Sequence, residues 1–134
     1  MRLWHYQLIP VLPRQQLLGQ WRECCAIAKS IEEKGTPNHI LVNPIMDFPI
    51  DHFMRYAQSV NFEMAYRGYH TNPDNFLKHF DEIALREDNQ SIFEGWHNHR
   101  YLCQCLYNLQ EKHDRGGISD EEWQPIQEKF GGFL

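Results

Sequence analysis

A chain of 134 residues, 42% hydrophobic and with aromatic side chains along its whole length, has room for one domain with a real core and not for two. No apolar run approaches the roughly 20 residues of a membrane helix, so a helical membrane anchor is not expected. The net charge of −5 excludes a broad, nonspecific nucleic-acid surface, because phosphate binding rests on lysine and arginine.

That charge is unevenly spread. Up to Lys34 the chain carries Arg2, Arg14, Arg22, Lys29 and Lys34 against Glu23, Glu32 and Glu33, whereas the remainder is strongly acidic. An anion is therefore expected near the amino-terminal segment. The cysteines fall as Cys24 and Cys25 and as Cys103 and Cys105, which with no export signal predicts reduced thiols in a cytoplasmic protein. Neither pair has the two-residue gap of a zinc knuckle, and although His99 and Cys103 share a helix face, two ligands do not make a site. No metal or other cofactor is expected.

The chain opens MRLWHY, with no run of small apolar residues and no cleavage motif, so this leader should fold with the domain and hold the amino terminus in place. A fixed terminus matters chemically. An α-amino group, with a reference pKa of about 7.7 to 8.0, is substantially unprotonated near neutral pH, where a lysine is not.

Pro10 and Pro13 bracket a short extended connection, and the spacing then predicts a helix from Pro13 to Lys34, with Leu17, Leu18, Trp21, Cys24, Cys25, Ala28 and Ile31 as its buried stripe. Gly35, Thr36 and Pro37 end it. Pro44 and Pro49 make Asn38 to Pro49 a packed loop with at most a short helical turn. A second helix is expected from Pro49 to Tyr66, its apolar face made by Ile50, Phe53, Met54, Ala57, Val60, Met64 and Ala65, with Gly68 as C-cap. A short helix follows from Pro73 to Phe80 or Leu85, turning Phe76, Leu77 and Phe80 inward, and Arg86 to Ser91 reads as a turn. A third long helix is predicted from Ile92 to His113, packed through Trp96, Tyr101, Leu102, Cys105, Leu106 and Leu109 and closed by Gly116 and Gly117. Ser119 and Glu122 form a capping-box pattern that opens a last helix to Phe130, burying Trp123, Ile126 and Phe130. Strand alternation is absent. The expected fold is all-α, a single domain over residues 1–134 of three main helices plus shorter ones, with the amino-terminal segment packed between them.

Three stretches, QQLLGQWRE from Gln15 to Glu23, EMAYRGY from Glu63 to Tyr69 and LQEK from Leu109 to Lys112, resemble the pyrimidine-dimer DNA glycosylases of the endonuclease V type. The resemblance implies an α-amine nucleophile at the end of a leader threaded between helices, and a catalytic glutamate following an arginine on the first long helix, as Glu23 follows Arg22. Because Arg2 is a bulky second residue, removal of Met1 is not expected, and Met1 itself would carry the amine. The implied catalytic residues are thus Met1 and Glu23. Arg2, Gln15, Arg22 and Gln16, the last standing where the family has a histidine, would contact DNA. Arg14, Lys29 and Lys112 would extend that track along the backbone. The implied partner is damaged double-stranded DNA, with no membrane and no obligate protein partner. Arg67 reads as a cation complementing a helix C-terminus, and Trp4, Tyr6 and Trp21 as packing residues that seat the leader.

Two other readings compete. A non-catalytic binding protein on the same fold would account for the acidic balance. A metal-dependent nucleotide hydrolase would need carboxylates converging on inward helix positions, and no such cluster is found: Asp120, Glu121 and Glu122 sit at a helix start, where acids are expected.

Overall fold

The first long helix, α1 (Arg14–Lys34), begins on Pro13, whose ring presets the backbone but offers no side-chain cap. A distant carboxylate takes that role: Glu122 Oε2 accepts the Arg14 backbone N–H at 2.6 Å, placing negative charge at the positive end of the helix dipole. At the other end Gly35 adopts φ +75°, and its N–H closes on the Ile31 carbonyl. Leu17, Trp21, Cys24, Ile27 and Ala28 are buried as the spacing requires, while Leu18, Cys25 and Ile31 are half-buried. Gln20 is buried with them.

The computed structural model describes residues 1–82 and 91–134. After a short 3₁₀ turn at Asn43–Asp47, α2 (Ile50–Tyr66) packs on α1 and buries Phe53, Met54, Tyr56, Ala57, Val60 and Met64. It also buries Asp51, which pairs with Arg55 at 3.4 Å. Ala65, expected on the apolar face, is exposed, and the C-cap is Arg67, with Gly68 in the left-handed region one residue beyond it. The helix expected after Pro73 is a single turn, α3 (Asp74–Leu77), which seats Phe76 in the core. The longer alternative to Leu85 and most of the turn expected from Arg86 lie outside the described residues.

The largest departure is in the third long helix. α4 (His99–Asp114) begins seven residues later than the apolar pattern suggests. Ile92 and Phe93 are buried, but in a turn: Phe93 takes φ +56° and Gly95 φ +87°, and Asn98 then caps the helix by accepting the Tyr101 N–H at 2.9 Å. The apolar residues continue across a boundary that the backbone does not. α5 (Asp120–Phe130) starts as its capping pattern requires, with Ser119 Oγ accepting the Glu122 N–H at 3.2 Å. There is no strand among the described residues, and the class is all-α.

The leader lies inside this assembly. Leu3, Leu8 and Leu12 are fully buried in the same cluster as Leu17, Phe53, Tyr56, Leu106, Leu109 and Ile126. Each such side chain contributes roughly 1.5–3 kcal/mol of burial, enough to hold the segment against its tendency to fray.

Candidate active site

Buried backbone must be hydrogen-bonded. The leader has no regular structure up to His5 and is a short 3₁₀ helix over Tyr6–Val11, where the prolines predict an extended connection from Pro10, so it satisfies only part of this requirement internally. Side chains from the helices supply the rest. Gln20 of α1 uses its amide as a strand would use a peptide group: Nε2 donates to the Arg2 carbonyl at 3.0 Å and Oε1 accepts the Trp4 N–H at 2.7 Å. From α2, the Tyr56 hydroxyl lies 2.6 Å from the Trp4 carbonyl and 2.9 Å from Gln20 Oε1, sharing one proton between them. From α4, the Tyr101 hydroxyl donates to the Leu3 carbonyl. Burial raises the pKa of both phenols, so each stays a donor. Arg67 fastens the next stretch, donating to the carbonyls of Leu12 at 2.8 Å, Pro10 at 3.2 Å and Ile9 at 3.5 Å. It is a clasp on the leader as well as a cation at the end of α2.

Two buried histidines complete the fastening. His97 Nδ1 accepts the Tyr6 N–H at 3.1 Å, and His5 Nδ1 accepts the Gln7 N–H while its Nε2 donates to the His97 carbonyl at 2.9 Å. Both rings are thereby neutral, with the proton on Nε2. Burial lowers the pKa of each, that of His97 to about 2 with a smaller contribution from His5. The Nε2 of His97 has no hydrogen-bond partner among the described residues; the ring stands edge-to-face with Tyr56 and Trp96.

This fastening brings the start of the chain to Glu23. The Arg2 N–H points at Glu23 Oε2 at 3.4 Å, and Gln20 Nε2 lies 3.4 Å from the same oxygen. Only three covalent bonds separate the Met1 nitrogen from that of Arg2, so the amine lies within about 4 Å of it. Met1 is exposed and Glu23 half-buried, so the pair lies at a surface that a substrate can reach.

The other sequence-chosen residues divide. Gln15, Arg22 and Lys29, seven residues apart, share an outward row of α1, and Gln16 shares the adjacent row with Glu23. Arg22 and Lys29 line a depression of about 460 Å³ with Trp21, Cys25 and two residues that sequence reading did not select, Lys78 and His79. Lys78 is the C-cap of α3, a single turn, so no helical periodicity marks its face. Arg14 stands apart: nine residues from Glu23 is about 14 Å along the axis, and its guanidinium bonds and stacks on Tyr69. Lys112 is exposed on the last turn of α4. The guanidinium of Arg2 covers the Trp4 ring at 5.6 Å. His99 Nε2 and Cys103 Sγ are 3.5 Å apart, and among the described residues no group of three or more His, Cys, Asp or Glu could hold a metal.

The sequence does not single out Gln20 or Tyr56, and it marks Tyr101 only as a packing residue of the third long helix. A buried glutamine on an apolar stripe looks like an interruption of the pattern, and the only signal was that it falls at a core position. The arrangement that results sets the second residue of a buried leader against the Glu23 carboxylate, on the helix that also carries the exposed cations Arg22 and Lys29. No helix among the described residues is long and apolar enough to cross a membrane. No curated protein and no solved structure matches the chain. Residues 1–77, more than half of its length, match the family model described as pyrimidine dimer DNA glycosylase, and the chain belongs to that family.

Proposed function

We propose that the protein is a DNA glycosylase and abasic-site lyase acting at pyrimidine dimers or related lesions, with the Met1 amine as nucleophile and Glu23 as acid and base. The observation that carries this reading is the contact of the Arg2 N–H with the Glu23 carboxylate, one residue along the chain from the Met1 amine. The unprotonated amine attacks C1′ of the damaged nucleotide, and the glycosidic bond breaks with its electron pair leaving on the base. Loss of a proton from nitrogen and opening of the sugar ring give an imine. Glu23 takes a C2′ proton, and the electrons of that C–H bond expel the 3′ phosphate. Arg22 and Lys29, joined by Lys78, offer cations to the phosphates on the α1 side, and Arg2 does so on the other. Gln15 and Gln16 lie along the same helix toward the substrate, whereas Arg14 and Lys112 act only on more distant backbone.

Borohydride reduction of the protein with abasic-site DNA tests the reading. An imine yields a stable covalent adduct. The Glu23→Gln variant should still be trapped, while strand cleavage falls about 10²- to 10⁴-fold. A residue added before Met1 should abolish both. The net charge of −5 favours a second reading, a non-catalytic binding protein on this fold, for which neither adduct nor cleavage would appear.

A further inference from the structure

Arg2 faces two ways. Its peptide N–H meets Glu23, while its side chain lines a groove of about 760 Å³ between the loop that holds Ile40 and Leu41 and the start of α4. Trp96, Tyr101 and Tyr107 furnish aromatic surface, and Arg100 supplies a second cation. The remaining polar surface comes from amides, those of Asn98, Gln104 and Asn108. Among the described residues no carboxylate lines the groove, in a chain with 18 acids. One lip is aliphatic and open to water: Ile40 is 82% exposed and Leu41 47%.

We infer that this groove takes an unpaired DNA strand next to the lesion, which makes partly opened DNA the preferred substrate; the inference rests on the proposed action of the Glu23 site on DNA. Rings, an aliphatic lip and neutral amides are complementary to base faces and edges, and these are available only where pairing is broken. Two arginines match the phosphates of one strand. The basic residues lining the groove, Arg2 and Arg100, are too few to follow both backbones of a duplex along it. Extruding a damaged nucleotide leaves its neighbours unstacked, so the groove would collect what the reaction opens.

Fluorescence anisotropy with a lesion-free labelled oligonucleotide, single-stranded and as the matched duplex, tests this without requiring catalysis. The single strand should bind roughly tenfold tighter or more. Its log–log salt slope should be about −1.4, as for two phosphate contacts. Arg100→Ala and Tyr107→Ala change exposed side chains, and each should weaken single-strand binding by roughly tenfold with circular dichroism unchanged. Ile40→Asp, which adds a carboxylate to the lip and empties no core, should do the same. Equal or tighter duplex binding, indifference to all three substitutions, or a clear preference for an RNA strand would overturn the assignment. A borohydride adduct without single-strand preference would remove the groove and leave the lyase reading standing. Single-strand binding without an adduct would do the reverse.

Discussion

Gln20 has one side chain and four polar neighbours: the Arg2 carbonyl, the Trp4 N–H, the Tyr56 hydroxyl and the Glu23 carboxylate. Removing it leaves buried groups unpaired, and Gln20→Leu should cost at least about 1–3 kcal/mol in chemical denaturation. Gln20→Glu keeps the shape but loses the donor to the Arg2 carbonyl and buries a carboxylate beside Glu23, so it should destabilise the protein at least as much as Gln20→Leu. Tyr56→Phe is expected to cost a similar about 1–3 kcal/mol. His97 gives the pH dependence. Its folded pKa is depressed to about 2 against 6.5 for the free ring, so below pH 6.5 the unfolded chain binds a proton that the folded one refuses. Stability should therefore fall as pH drops below 6.5, by up to about 1.4 kcal/mol per pH unit from this ring alone, and His5 adds in the same direction. Urea denaturation of the parent and of His97→Gln at pH 7.5 and pH 5 measures it: the variant should show the smaller loss.

Among the elements, α1 and α2 were legible nearly to the residue, because proline and glycine punctuate both and their apolar stripes repeat at helical spacing. Start and stop signals also fixed α5, and Ser119→Ala should destabilise the protein by about 1 kcal/mol in thermal denaturation. α4 shows where such reading fails. Ile92, Phe93 and Trp96 look like a helix face, yet Phe93 in a left-handed conformation and Gly95 beside it fold them into a turn that buries the same apolar surface. Hydrophobic spacing reports burial, and here burial and helix separated. The candidate site was legible to the extent that it lies on one helix: the resemblance carried by QQLLGQWRE points to Arg22 and Glu23, and Lys29 lies about two turns beyond Arg22 on α1. The groups that hold the leader come from three helices and from the turn before α4, and no local pattern links Gln20, Tyr56, Tyr101 and His97.

For the whole molecule, the leader is a piece of core whose outer end meets Glu23 through the Arg2 N–H. Leu3, Trp4, Leu8 and Leu12 anchor it by burial, and Arg67 and the buried amides and phenols fix its register. Leu3→Ala should cost about 2–5 kcal/mol and reduce imine trapping further than stability alone accounts for, since it loosens the segment that carries the amine. On the proposed function, DNA contact falls to two groups of cations, Arg22, Lys29 and Lys78 on the α1 side and Arg2 with Arg100 on the other. Mass-spectrometric mapping of the borohydride-reduced adduct with abasic-site DNA tests the central claim most directly. The account requires the reduced sugar on the α-nitrogen of Met1; an adduct on Lys29 or Lys78, or no adduct at all, would contradict it.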